Sequence, residues 1–533
     1  MLRKVYLSKR RSFVSTRHAF RYSVAVSLWL LLLLFSYGLF QNLRSTKAEN
    51  PQILSTIFLD TTVPTFTIAT ARASGNLSYT VADFSGATVA RGQLAVTGGQ
   101  TSITLSRLPD DYYLLHITDQ VAGASNSQVI PFAVISPFTP RANSSFGAGV
   151  HFIGGDTHGL PQLIATMGAG MVRGDATWAK IERSPGSYSF NSFDPSMQAL
   201  QQSGLDPLLI LDYNNHFYDK GQTPFDDAGL SAFANYAKAL VAHYSNQLKA
   251  VEVYNEYNGI FSTGPCARRP ACYARMLRYT YQAIKSVRPD VTVVGGAAFY
   301  ADLHWFDQLF QNGGLPYMDV VSDHPYNLPG FISPELQGLE EQMVDLQDLV
   351  KRYNHGQTKP IWITEIGWSS SFLQVSEFKQ ADYLVRSAVL SMVAGVQKIF
   401  WYDMVNDGTD PSQMDQNFGL IRKPDAAGRY TPKPAYVAYA VLIRQLASRS
   451  FIGREAVFPG IFDMLYSHNL RVLWSTPLGQ SVELSTNDPV TAISMTGGTQ
   501  TLQPSGGRII LPLSSDPVYV LGNISHVIWH NPL

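Results

Sequence analysis

Eight short apolar runs punctuate the middle of the chain, and longer amphipathic stretches separate them. The runs are FGAGVHF (146–152), GMVRGD (170–175), DPLLILDYN (206–214), AVEVYNE (250–256), VTVVGG (291–296), MDVVSDH (318–324), PIWITEIG (360–367) and VQKIFWYD (396–403). They show little apolar–polar alternation, which is the pattern of strands covered on both faces, as in a parallel sheet. Between them, segments such as LSAFANYAKALVAHY and KQADYLVRSAVLSMVAG carry helical spacing. Eight strand–helix units over residues 141–447 predict a (β/α)8 barrel.

The flanks follow another rhythm. Residues 44–140 hold short β runs with turn residues between them, among them TFTIATA, RGQLAVTGG and SQVIPFAVIS. This spacing predicts a small β-sandwich, and LPDDYYLLHI resembles a stretch of immunoglobulin-like modules. The Pro- and Ser-rich SPFTPRANSSF closes that region. Residues 448–533 return to short strands (RVLWSTP, SVELST, RIILPLS, PVYVLG) and predict a second β-sandwich. Neither flank displays candidate chemistry.

The N-terminus is different again. Residues 22–43 are uncharged and mostly apolar, and as a helix they reach roughly 33 Å, enough to span a bilayer. Seven Lys/Arg precede this run and two follow it closely. That asymmetry keeps residues 1–21 in the cytoplasm and exports the rest. An uncleaved signal-anchor is the reading, and a cleaved signal peptide the alternative.

Composition narrows the class. Hydrophobic residues at 45% and charged residues at 15% supply a large core and exclude wholesale disorder. Beyond residue 50 the chain carries 31 basic and 39 acidic side chains, a balance with no call for nucleic acid. The two cysteines, Cys266 and Cys272, lie in the Pro-rich GPCARRPACY. In an exported chain they suit a local disulfide, with two free thiols as the alternative. No His or further Cys completes a metal-ligand set around them.

Barrel active sites form at the C-terminal ends of the strands. Polar residues gather there: His151, Arg173 and Asp175, Asp212 with Tyr213 and Asn214, Asn255 and Glu256, His324 and Tyr326, Glu365, then Trp401. Two carboxylates stand out, Glu256 after the fourth strand and Glu365 after the seventh. Cleaving an acetal needs a proton donor on one side of the sugar and a second carboxylate on the other. Glu252 lies within the fourth strand, and its facing is left open.

YNE (254–256), WITEIGW (362–368) and the Arg of MVRGD resemble the marks of clan A glycoside hydrolases. GAGMVRGDATWAKIERSPGSYSF, DVVSDHPYN and NFGLIRKPDAAGRYTPKPAY resemble family 39 of that clan. The resemblance implies a retaining mechanism with Glu256 as acid/base and Glu365 as nucleophile, the two carboxyls about 5–5.5 Å apart. It implies that Asn255 holds the sugar 2-hydroxyl and that Arg173 and Tyr326 hydrogen-bond Glu365. His324 would line the pocket, Trp401 would floor the sugar site by stacking, and Tyr213 and His151 would touch substrate. No metal or organic cofactor is required. The substrate expected is a polysaccharide outside the cytoplasm, cut internally, and the partner expected is a polysaccharide export or assembly system. A transglycosylase with the same residues and a non-catalytic carbohydrate-binding barrel are the rivals.

Overall fold

The computed structural model describes residues 56–70, 73–121, 124–139, 143–326, 330–426 and 428–530. Its centre is a closed barrel of eight parallel strands: β1 (Phe146–Gly149), β2 (Met171–Thr177), β3 (Asp206–Asp212), β4 (Ala250–Val253), β5 (Thr292–Phe299), β6 (Val320–His324), β7 (Ile361–Ile366) and β8 (Lys398–Trp401). Each coincides with one of the apolar runs. Among the described residues, eight helices of two turns or more follow in turn: α1 (Leu160–Met167), α2 (Asp194–Gln202), α3 (Asp227–His243), α4 (Pro270–Lys285), α5 (Leu303–Gln311), α6 (Leu339–Tyr353), α7 (Glu377–Val393) and α8 (Pro434–Leu446). Local chemistry starts several of them. Asp226 accepts from Gly229 N–H (2.8 Å) ahead of α3, and Ser376 from Lys379 N–H (3.1 Å) ahead of α7. Proline opens α4 and α8, where a missing N–H costs nothing.

The barrel's floor follows from strand alternation. Met171, Leu208, Ala250, Val294, Val320, Trp362 and Phe400, one from each of β2 to β8, form a buried cluster of their own. At the matching place on β1, a Cβ on Gly147 would meet the Phe400 ring at 2.4 Å, so only glycine lets that ring fill the floor.

Before the barrel, seven strands between Ile57 and Ile135 form one sheet, with Ile57–Leu59 and Thr65–Ala69 at its two edges. Phe58 on one edge and Phe66 on the other nevertheless lie 5.3 Å apart, ring centre to ring centre. The sheet therefore rolls until its edges meet over Phe132, Leu115 and Ile103. The two-sheet sandwich expected there is instead one continuous sheet, because twist alone closes the core. After α8, a six-stranded and a three-stranded antiparallel sheet do face each other across a shared core.

Both flanking modules seat on the barrel. Arg444 of α8 donates to Asp110 (2.6 Å) and to the Ser136 carbonyl (2.5 Å). Trp474 donates to Glu335 (2.9 Å), which also accepts from Arg386 of α7 (2.7 Å). One hydrophobic cluster runs from Tyr112 and Ile135 through the barrel to Met464, Trp474 and Tyr519. The expected membrane helix, residues 22–43, lies outside the described residues. Among the described residues no helix is long and apolar enough to cross a membrane.

Candidate active site

The alternation that sets the floor also sets the site. Two residues beyond each floor position, the same side of the strand turns inward again. On β2, β4 and β7 that next layer is Arg173, Glu252 and Thr364, all buried. Glu252 therefore faces the barrel interior, which resolves the question its sequence left open. One step higher on β6 stands His324, fully buried.

Glu256 is reached differently. The β4 ladder ends at Val253, and Tyr254 (φ 67°) and Glu256 (φ 46°) take left-handed backbone conformations unusual for side chains of their size. Tyr254 N–H bonds Leu211 O (3.0 Å) and Glu256 N–H bonds Ala297 O (3.0 Å), so both neighbouring strands hold this turn in place. Asn258 then clips the β4 and β5 loops together: its amide donates to Phe299 O (3.0 Å) and accepts from Phe299 N–H (2.8 Å). Tyr257 is buried between Tyr254 and Tyr273. The disulfide Cys266–Cys272 closes the far end of the same loop.

Arg173 is the hub. Its Nε donates to Glu252 Oε2 (2.6 Å), its Nη2 to Asn255 Oδ1 (2.8 Å) and its Nη1 to Glu365 Oε1. Because the Asn255 oxygen is taken, its NH2 group is left to donate toward a ligand. Tyr326 donates to the other Glu365 oxygen (3.1 Å). Burial alone would push Glu365 up, but the charges of His324 and Arg173, with the hydrogen bonds from Arg173 and Tyr326, hold it below the usual carboxylate value. Behind the two carboxyls, His324 Nδ1 lies 3.0 Å from Glu256 Oε1 and 3.8 Å from Glu365 Oε2. Its Nε2 lies 3.1 Å from Thr364 Oγ1, which in turn donates to Glu252 Oε1 (2.8 Å).

These groups open on a cavity of about 450 Å³ lined by Arg173, Tyr213, Asn255, Glu256, Tyr326, Glu365 and His151, among others. Tyr213 stacks on Phe261 (5.3 Å) at its side. His151 sits at the rim, with Nε2 3.5 Å from Asp403 and 3.8 Å from Asp407. The Asp403 hydrogen bond lifts it to about 9, against burial, so it is charged at neutral pH. Two expected residues are not at the wall. Alternation turns Trp401 to the opposite face of β8 from Phe400, where it packs on Trp368 (6.1 Å), and Trp368 with Tyr402 and Phe418 supplies the aromatic wall instead. His324 lies behind the carboxyls rather than beside the substrate space. Sequence reasoning missed the inward role of Glu252 and Thr364; counting in twos from Ala250 and Trp362 was the available signal.

Among the described residues, two clusters have the side chains to hold a metal ion: His151, Asp403 and Asp407 at the rim, and Glu256, His324 and Glu365 at the centre. In both, the candidate atoms face one another as ion or hydrogen-bonded pairs.

Residues 226–425, which include Asn255, Glu256 and Glu365, match the family model described as glycosyl hydrolase catalytic core. Among solved structures, the chain is similar to a family 39 glycoside hydrolase from the gut symbiont Bacteroides cellulosilyticus WH2. The TM-score is 0.75 at 22% identity, over 89% of this chain and all of that one. It is also similar to the family 39 enzyme from Xanthomonas axonopodis pv. citri (TM-score 0.52, 15% identity, 72% of this chain and 95% of that one). A monomeric β-xylosidase from Caulobacter crescentus CB15 gives a TM-score of 0.51 at 16% identity, over 72% of this chain and 97% of that one. No curated protein sequence matches the chain. Barrel, paired carboxyls and catalytic-core match together support a glycosidase. Within that class the chain is similar to clan A glycoside hydrolases, and its fold to those of family 39.

Proposed function

We propose that the protein is a retaining glycosidase that cuts a polysaccharide internally, outside the cytoplasm, by double displacement. One observation carries this reading: a carboxyl oxygen of Glu256 and one of Glu365 lie within 4.8 Å of each other, in unlike surroundings. Inverting enzymes keep their carboxyls roughly 6.5–9.5 Å apart to admit a water between them. The tightly held Glu365 carboxylate attacks the anomeric carbon as the bond to the leaving oxygen breaks. Glu256 gives its proton to that oxygen. Water then attacks the glycosyl ester, Glu256 takes the water's proton, and Glu365 leaves as a carboxylate. Arg173 and Tyr326 hold the nucleophile, Asn255 donates to the 2-hydroxyl, and Tyr213 and His151 border the sugar.

The cavity's basic groups, Arg173 and His151, are both committed to carboxylates, which favours sugars without an acid group. Exposed Phe261 and Tyr300 continue the surface past Glu256 on the leaving-group side, where a polymer would run. The disulfide and the apolar run at 22–43 support an exported, membrane-anchored enzyme, placed where a polysaccharide leaves the cell.

The test is a panel of polysaccharides and 4-nitrophenyl glycosides, with β-xylosides first because one similar structure is a β-xylosidase. Glu256→Gln and Glu365→Gln should abolish turnover, and an activated 2-fluoro glycoside should label Glu365. Near-normal hydrolysis by either variant would overturn the assignment. Product lengths separate internal from terminal cleavage, and hydrolysis from transfer.

A further inference from the structure

We infer that Thr364 and Glu252 are positioning residues: they keep a proton of His324 aimed from Nδ1 between Glu256 and Glu365, so that one buried positive charge offsets whichever carboxylate is ionised. The inference rests on the double-displacement reading above.

The hydrogen inventory forces the direction of the chain. Glu252 accepts from Arg173 on Oε2 and faces Thr364 with Oε1. A carboxylate paired with a guanidinium has no hydrogen to give, so Thr364 donates its only one. Toward His324 the hydroxyl can then only accept, and Nε2 must carry a hydrogen. Nδ1 is left as the nitrogen that gains or loses a proton, 3.0 Å from Glu256 and 3.8 Å from Glu365.

This arrangement fits the two half-reactions. At rest Glu365 is the anion and Glu256 holds the proton. In the glycosyl-enzyme Glu365 is a neutral ester and Glu256 the anion. The total charge of the pair is the same in both states, and only its place changes. An imidazolium within reach of both serves each state without moving. The charged and titratable groups facing His324 are Glu256 from the β4 loop, Glu365 from β7, Arg173 from β2, which opposes its charge, and its neighbour Asp323 on β6. Burial would strip the charge from His324, yet the Glu365 charge and the Glu256 hydrogen bond outweigh it and raise the imidazole above its ordinary value.

Thr364→Val keeps the shape and deletes both hydrogen bonds. Glu252→Gln is an independent second variant. Its amide oxygen can still accept from Arg173, but its NH2 then points at Thr364 and reverses the chain, so that Nε2 becomes the acceptor and the imidazolium is disallowed. The measurement is kcat/KM against pH on the best 4-nitrophenyl glycoside of the panel. Both variants should bring the alkaline limb down by about one pH unit, an approximately tenfold loss at pH 8, with far less change at pH 5.5. Thr364→Ser should restore the limb. A loss of equal size at every pH, or a serine variant no better than valine, would show a merely structural role and overturn the inference. A wild-type enzyme that hydrolyses nothing on the panel overturns the glycosidase reading, and this inference falls with it. An active wild type whose variants keep its pH profile overturns this inference alone.

Discussion

Arg173→Lys keeps the charge at the hub and removes the fork. The guanidinium serves three acceptors on three different strands or loops, Glu252, Asn255 and Glu365, with three different nitrogens. A single ammonium nitrogen cannot occupy three positions, so at least one charge-assisted bond, and in most placements two, is lost. Such bonds are each worth about 1.5–3 kcal/mol. Glu252 is fully buried, so losing its partner also strands a charge, and about 3–5 kcal/mol is the total expected. If that loss falls on the transition state, kcat/KM drops by about 10²- to 10⁴-fold. The pH profile should also move. Glu365 is held below its ordinary value partly by Arg173, and burial pushes it the other way. Its anion is present above its own pKa and is lost as pH falls through it. Weakening the Arg173 contact raises that pKa, so the acid limb should move toward neutral. The assay is kcat/KM from pH 4 to 8, with circular dichroism and thermal melting to verify the fold. A variant within tenfold of wild type, its acid limb unmoved, would refute the idea that Arg173 organises the nucleophile.

Asp323 on β6 is fully buried, no side chain among the described residues hydrogen-bonds its carboxyl oxygens, and burial lifts it to about 7. The folded state then keeps the proton while the unfolded chain loses it, so stability falls as pH rises from about 4 to 7, by about 4 kcal/mol in all. Asp323→Asn should flatten that slope in melting curves, and an unchanged slope would count against it. The Cys266–Cys272 bond closes a loop with a sequence separation of 6, worth about 2 kcal/mol. The double serine variant should be destabilised by about that much in denaturant melts, with wild type under reductant matching it; equal midpoints would refute it.

Much of this molecule was legible in its sequence because the barrel strands are apolar on both faces. All eight stand out from the helices, and each ends in residues that a barrel exposes at its mouth. The order of Asn255–Glu256 and Glu365 along the chain was equally plain. What lay hidden depends on which face a side chain takes. Trp401 reads as a platform at a strand end, but the neighbour Phe400 claims the interior and Trp401 must turn away. Glu252 and Thr364 look like ordinary polar residues in strands until the floor layer fixes the phase. The rolled N-terminal sheet was hidden for another reason: strand spacing reports that strands exist, while their hydrogen-bonded order depends on pairs far apart in sequence, such as Thr65–Ala69 with Gln100–Thr104.

The hydrophobic cluster that runs from Tyr112 and Ile135 through the barrel into Trp474 and Tyr519 has a thermodynamic meaning. Parts that share an interior cannot lose it separately: melting either β module would leave barrel side chains facing water. Heat should therefore take the three parts apart in a single calorimetric transition, with an enthalpy matching the whole folded chain. A barrel excised at its ends would start with that wound already open.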